Sequence, residues 1–342
     1  MSNKFNDYEE DLKELSLYLG SNIDWVQGAG GNTSFKDNQN LLVKASGFWL
    51  SDAQNKNIFS KLNLKKLLEL IDNEIEDLNS AQIINEGEQN FRPSIETTMH
   101  ALMPHKFVAH VHSTNVISYA VMENSRNILD EKLSNVNWLF VPYSRPGLPL
   151  TKTLIKLNAS NFDVLILENH GIVIGGKSKD EVIRLLLSVE KKLYRPIRKV
   201  PLLQDQKKLI SLIKKTKYKL PKYTFCHSLA NDNYSLEVLN KNPLYPDHII
   251  FLGPGPIPIM HEDDFNIKLL ASTGLTHKLI IIKNIGVIIL EDLSTNAEEM
   301  LHCLTSVVFK IEVNAPLKHL SQKDEIELLG WDAETYRKTI ER

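Results

Sequence analysis

The sequence predicts an α/β protein built from more than one structural unit, and three observations predict it. Apolar residues recur with helical spacing in some segments and with strand spacing in others, without the strict βαβ rhythm of a doubly wound parallel sheet. The chain has 342 residues, against about 150 for a typical domain. Residues 165–190 (LILENHGIVIGGKSKDEVIRLLLSVE) align with residues 280–308 (IIIKNIGVIILEDLSTNAEEMLHCLTSVV). Both read as strand, Asn-x-Gly hinge, strand, Ser-containing turn and apolar helix with an acidic start. Asn169 matches Asn284, Gly171 matches Gly286, and Ile285 stands where the first copy has His170.

Elements follow in chain order. Residues 7–20 predict an amphipathic helix with Leu12, Leu15 and Leu19 on one face and Gly20 as its stop. Gly28–Ser34 is a glycine-rich turn, Leu41–Ala45 a strand, Ser46-Gly47 a second turn, and 58–72 a helix. Pro93-Ser94 opens a helix to Met103, because proline suits a first helical turn. Phe107–His112 and Trp138–Pro142 predict strands, with a helix at Val116–Met122 between them. Two apolar strands meet at Asn169-His170, and a helix follows over Lys179–Leu193. In the second half Ile249–Leu252 and Leu279–Leu290 read as strands and Ala297–Phe309 as a helix.

Composition excludes several function classes. Hydrophobic residues make up 42% and charged residues 24%, with 40 Lys+Arg against 42 Asp+Glu. That is an ordinary folded chain, neither disordered nor a dedicated nucleic-acid binder. Cys226 and Cys303 form no CxxC pair, which excludes a thiolate zinc site and a disulfide scaffold and points to a reducing compartment. The polar, acidic N-terminus is no signal peptide, and the apolar run Leu279–Leu290 is interrupted by Lys283 and Asn284 and too short for a bilayer. The expectation is a cytoplasmic protein with no membrane and no nucleic-acid partner.

The chemistry concentrates between residues 94 and 170. His110 and His112 are spaced i, i+2 in a strand, so their rings project from one face. That is how a strand offers two ligands to one metal, although such a short motif also arises by chance. Glu96 near a helix start is either a dipole-favoured surface charge or a site carboxylate. His100, one turn on, reads as a supporting or core residue. His170 lies at a turn that could aim it into a site. Gly30–Ser34 could cradle an anion, but there is neither a GxGxxG nor a Walker lysine. His261-Glu262-Asp263-Asp264 reads as an acidic helix start rather than a metal cluster.

Taken in order, Gly-Gly-Asn-Thr-Ser, Lys-Ala-Ser-Gly, Pro-Ser-Ile-Glu-Thr-Thr-Met-His, His-Val-His-Ser, Pro-Tyr and Glu-Asn-His-Gly resemble the class II aldolase/adducin family over about residues 10–195. Within that family the chain is most similar to the aldolase part of bifunctional rhamnulose-phosphate aldolase/alcohol dehydrogenase proteins, without their dehydrogenase part. The resemblance implies a three-layer α/β/α fold with a mainly antiparallel central sheet, followed here by a degenerate partial repeat. It implies one divalent ion per chain, Zn²⁺ first, with Mn²⁺, Co²⁺ or Mg²⁺ as alternatives, held by His110, His112 and His170. It implies Glu96 as acid/base and Tyr143 as proton donor at the aldehyde oxygen. Asn32, Ser46, Gly47 and Ser94 match positions that contact a substrate phosphate. Ile95 stands where the family has a second phosphate-binding serine, so phosphorylated and unphosphorylated sugars both remain open.

The function these residues imply is a metal-dependent lyase that cleaves or forms a C–C bond in a hydroxy-ketone sugar through a metal-stabilised enediolate. An epimerase, dehydratase or decarboxylase using the same site is the alternative, and a non-enzymatic adducin-like module ranks below both. A homo-oligomer is expected. The expected organisation is a metal-bearing domain over 1–200, a basic connector over 201–222 and a repeat domain without metal ligands over 223–342. Residues 191–222 hold twelve Lys/Arg against Asp205 alone. This run reads as a nucleic-acid or membrane patch, as a solvated helix with Leu209, Leu212 and Ile213 inward, or as a basic connector beside an anionic-substrate pocket.

Overall fold

The computed structural model describes residues 2–84, 90–200, 205–214, 216–262 and 277–330. Among these the chain divides into two compact units, one formed by residues 2–120 and 124–194, the other by 121–123 and 195–330. No helix of the described residues is long and apolar enough to cross a membrane.

The first unit is a seven-stranded sheet of order β3-β2-β1-β4-β7-β6-β5. Its strands are β1 (Asn32–Lys36), β2 (Asn40–Lys44), β3 (Phe59–Asn63), β4 (Phe107–Val111), β5 (Trp138–Val141), β6 (Val164–Leu167) and β7 (Gly171–Gly176). Every neighbouring pair is antiparallel except β5 with β6. Helices α1 (Ser2–Gly20), α4 (Thr114–Ala120), α5 (Ser125–Lys132) and α7 (Lys179–Leu193) form one outer layer. Helices α2 (Leu64–Asp72), α3 (Thr97–Leu102) and α6 (Leu148–Lys156) form the other. The mainly antiparallel three-layer α/β/α fold is therefore the one expected.

Apolar burial fixes both layers. Leu12, Leu15 and Leu19 of α1 are fully buried. On the opposite face Met99, Met103, Leu150 and Leu154 meet Val108, Leu165 and Val173 of the sheet. Two expected boundaries move. Residues 58–72 are not one helix: Phe59–Asn63 pairs with β2, and Asn63 then caps α2 by accepting from the Lys66 amide. Pro93 does not open α3. It bridges Ala45, and the Ser94 amide donates to the Lys44 carbonyl at 3.1 Å. The 93–94 segment thus pairs antiparallel beside the end of β2, and α3 starts only after Glu96.

The second unit carries a four-stranded sheet of order β8-β11-β10-β9, from β8 (Tyr218–Lys219), β9 (Ile259–Met260), β10 (Leu279–Ile282) and β11 (Gly286–Leu290). Helices α8 (Gln206–Ile213), α9 (Asn233–Leu239), α10 (Thr295–Lys310) and α11 (Gln322–Leu329) accompany it. Leu209 of α8 is buried against Ile280, Ile282 and Ile288, with Leu212 and Ile213 alongside. Residues 249–252 are not a strand but part of a π-helical turn, His248–Leu252. Lys278 Nζ donates to the Ile250 and Phe251 carbonyls at 3.2 and 2.8 Å, satisfying groups that such a turn leaves open.

Hairpin β10–β11 followed by α10 has the element order of hairpin β6–β7 followed by α7. Asn169 and Asn284 both take positive φ, 53° and 61°. Their amides donate to the carbonyls of Ala120 and Ala230. Ser178 and Ser294 both cap the helix that follows. Asp263 and Asp264 lie outside the described residues, and Glu262 pairs with Lys208.

Candidate metal centre and active site

β4 runs through the middle of the site. Val108 faces the α3/α6 core, so strand alternation sends His110 and His112 to the same side. Two glycines let other chains approach β4 closely. A Cβ on Gly31, whose φ is +61°, would lie 2.9 Å from the His110 carbonyl. One on Gly171 would lie 2.5 Å from the Val111 carbonyl. The Gly171 approach brings the β6–β7 turn, and with it His170, against the His-x-His strand.

The result is a buried group in which ring nitrogens of His110, His112 and His170 all lie within 4.8 Å of one another. His110 Nε2 and His112 Nε2 are 3.0 Å apart. His110 Nδ1 lies 3.0 Å from the Ile172 carbonyl, an acceptor only, so the proton sits on Nδ1 and Nε2 offers a lone pair. Glu96 closes the group from the start of α3, with Oε2 3.4 Å from His110 Nε2 and Oε1 3.6 Å from His170 Nε2. Oε1 accepts no hydrogen bond among the described residues. Converging imidazole lone pairs beside an under-bonded carboxylate oxygen, all buried, are costly without a cation and fit a divalent ion. Burial alone would raise the Glu96 carboxyl, but His110, His170, the Asn32 amide and His112 outweigh it and hold the group at about 2.

Asn32 of β1 sits directly across from His110 in the sheet. Its Nδ2 donates to Glu96 Oε2 at 2.8 Å and to Ser94 Oγ at 3.2 Å. The structure thus brings Asn32, Ser94, Glu96, His110, His112 and His170 together, and both amide hydrogens of Asn32 point at protein groups. Ser46 Oγ donates to the Pro93 carbonyl at 3.1 Å, which holds the Ser46-Gly47 turn beside Ser94. Gly47 has φ 83°, a conformation side chains disfavour. Tyr143 enters by its backbone, whose amide donates to Glu168 Oε2 at 2.9 Å, two residues before His170.

Several supporting residues escape a reading by sequence. Buried Lys44 donates to the carbonyls of Ala29 and Phe48 at 2.6 and 2.9 Å, joining the two glycine turns. Glu190 of α7 accepts from Ser113 Oγ and from Asn115 Nδ2, just after His112. His100 bonds Asn32 and Ser34. Only the Lys-Ala-Ser-Gly context hinted at Lys44, and nothing local marked Glu190.

Comparison with known proteins gives the family of the chain. A protein from Bacillus subtilis called "Uncharacterized oxidoreductase YuxG" is 32% identical over 197 residues, covering 53% of this chain and 28% of the relative. The chain therefore spans less than a third of that relative's length. Among solved structures, the N-terminal class II aldolase domain of a conserved Thermoplasma acidophilum protein is 25% identical, with a TM-score of 0.47, covering 54% of this chain and 90% of its own. A sugar-phosphate aldolase from Thermotoga maritima is 14% identical, with a TM-score of 0.44, covering 56% of this chain and 93% of its own. Residues 10–194, more than half of the chain, match the model of the family described as class II aldolase and adducin N-terminal domain, and the chain belongs to that family.

Proposed function

We propose that the protein is a metal-dependent carbon–carbon lyase acting on a hydroxy-ketone sugar that carries a phosphate. The observation that carries this reading is the buried convergence of His110, His112 and His170 with Glu96 within 3.6 Å of two of them. These three histidines would hold the ion. When bound, a divalent cation supplies Lewis-acid stabilisation of negative charge on substrate oxygens.

The chain's own groups divide the remaining work. Glu96 is ionised at neutral pH, so it enters as a base. Oε2 is held by Asn32, which leaves Oε1 as the oxygen that receives a proton from the sugar. The Gly47 amide and the Ser94 hydroxyl supply donors to the substrate phosphate, the Ser46 side chain holds their turn through the Pro93 carbonyl, and Asn32 holds Ser94 and Glu96 in register beside it. In the synthetic direction Tyr143 gives its phenolic proton to the incoming aldehyde oxygen, and in cleavage the resulting phenolate takes it back from the sugar hydroxyl that becomes that aldehyde, with its loop fixed through Glu168. The second unit is read as a degenerate partial copy without metal ligands. The matched hinges at Asn169 and Asn284 and the matched serine caps support that reading. Cytoplasmic residence, Zn²⁺ as the resident ion and homo-oligomerisation belong to the same proposal.

The test is a panel of sugar phosphates followed by mass spectrometry on metal-loaded protein. Loss of a fragment supports the lyase. Loss of water, loss of CO₂ or an unchanged mass with inverted stereochemistry would replace it by a dehydratase, decarboxylase or epimerase at the same centre. Purified protein is expected to carry about one divalent ion per chain, and the double variant His110→Ala/His112→Ala to carry none. Full occupancy in the double variant would sink the ligand assignment.

A further inference from the structure

β1 presents Asn32, Ser34 and Lys36 on one face, and all three reach α3 and its flanks. Ser34 Oγ lies 2.7 Å from His100 Nδ1. His100 Nε2 contacts Asn32 Oδ1. Lys36 Nζ donates to the carbonyls of His100, Ala101 and Met103. His100 is fully buried, and its ring lies between a hydroxyl that can donate or accept and an amide that can face either way.

For a neutral ring only one arrangement satisfies every group. With the proton on Nε2, His100 donates to Asn32 Oδ1, and Asn32 Nδ2 donates to Glu96 Oε2 and Ser94 Oγ. Ser34 then donates its hydroxyl proton to the bare Nδ1. With the proton on Nδ1 instead, the Asn32 amide must turn its nitrogen to His100, which sets Oδ1 against the Glu96 carboxylate at 2.8 Å. Two oxygens without a proton between them in a buried site carry a full desolvation cost. The Glu96 charge therefore selects the amide orientation, and the amide orientation selects the tautomer.

We infer that His100 is a positioning residue: as a neutral Nε2–H imidazole it locks the Asn32 amide, which in turn aims the Glu96 carboxylate. Four groups form one directional chain, Ser34 to His100 to Asn32 to Glu96, with every donor pointing toward the carboxylate. Such chains polarise one another and resist rotation of any member. His100 touches neither the reacting atoms nor the metal ligands. It acts by removing the alternative in which Asn32 repels Glu96. Lys36 fixes the carbonyl end of the same helical segment, so the ring cannot retreat from Asn32.

The functional half of the inference rests on the proposed role of Glu96, whereas the tautomer does not, and the experiment separates them. Long-range ¹H–¹⁵N NMR of histidine-labelled, Zn²⁺-loaded full-length protein reads the His100 ring, with its signals assigned by their loss in His100→Gln. A single neutral Nε2–H tautomer between about pH 6 and 8 is expected. Glu96→Gln should bring in an Nδ1–H population, because a neutral amide there can donate to a flipped Asn32. A wild-type ring that is Nδ1–H or imidazolium, or a tautomer indifferent to Glu96→Gln, overturns the inference whatever the reaction is.

The second measurement is solvent-deuterium exchange into dihydroxyacetone phosphate. His100→Phe should lower its rate roughly ten- to hundredfold with the metal content unchanged. His100→Gln, which keeps a donor toward Asn32, should recover most of that loss. Equal rates in His100→Phe and wild type would overturn the positioning role. If wild type shows no exchange at all, the proposed function fails while the tautomer result still stands.

Discussion

Glu96 places its two oxygens in different surroundings, and that asymmetry decides its chemistry. Oε2 is tied to Asn32, while Oε1 lies 3.6 Å from His170 Nε2 and accepts no hydrogen bond among the described residues. Glu96→Gln removes the proposed base but keeps the shape. Turnover should fall by at least ~10²-fold, while isothermal titration should still find one ion per chain. Loss of the ion instead would make Glu96 a ligand. The pairing of His110 with His112 was legible in the sequence because an i, i+2 pair in a strand shares a face whatever surrounds it, whereas His170 joined them only through the family resemblance. The role of Asn32 was not. Its amide is spent on Glu96 and Ser94 because β1 pairs with β4 in the register Asn32 to His110, and register is a property of two strands that one motif does not reveal.

Elements carry the site by close approach. Gly171 lets the β6–β7 turn touch β4, so Gly171→Ala must push the Val111 carbonyl aside. A loss of roughly 1–3 kcal/mol in stability is expected from backbone overpacking, read by thermal unfolding of the metal-free protein. Zn²⁺ affinity should fall with it, since His112 follows directly on that strand and its Cα would lie 3.4 Å from the added Cβ. Helix α7 was legible to the residue at both ends, because Ser178 caps it and its apolar face is regular. The 58–72 segment reads as a single helix because β3 runs straight into α2, with Asn63 serving both as last strand residue and as cap. Proline at 93 misled for a related reason: its missing amide suits a helix start, but it equally suits the edge bridge to Ala45. The π-helical turn at His248–Leu252 has the apolar run of a strand, and the lysine that completes it, Lys278, is far away in sequence.

At the scale of the molecule, charge and protons matter more than any one contact. Burial holds His100 in the first unit and His248 in the second at about 3. Each folded imidazole then binds its proton less readily than the unfolded one. The stability they contribute is complete above the ordinary value near 6.5 and drains away as pH falls from there toward 3. Each should add a slope of up to roughly 1.4 kcal/mol per pH unit within that window. Urea unfolding at stepped pH checks it, and a flat profile would show these rings charged when folded. The basic run 191–222 is less free than its composition suggests. Arg198 donates to the carbonyls of Val308 and Ile311 at the end of α10 and pairs with Asp232. Lys219 pairs with Glu298 at 2.9 Å. Arg198→Ala should cost roughly 2 kcal/mol, whereas Lys214→Gln and Lys217→Gln, both exposed, should stay within about 0.5 kcal/mol by the same unfolding assay.

Lys36 and Lys44 are only 8% and 2% exposed, and each holds backbone carbonyls in the first unit. An amine reagent meets neither while that unit is closed. Their labelling, followed against that of surface lysines such as Lys214, therefore counts excursions in which the sheet parts from α3 at Lys36 and from the two glycine turns at Lys44. Two residues that hold the site together thus double as built-in clocks for its opening, with no probe needing to be introduced.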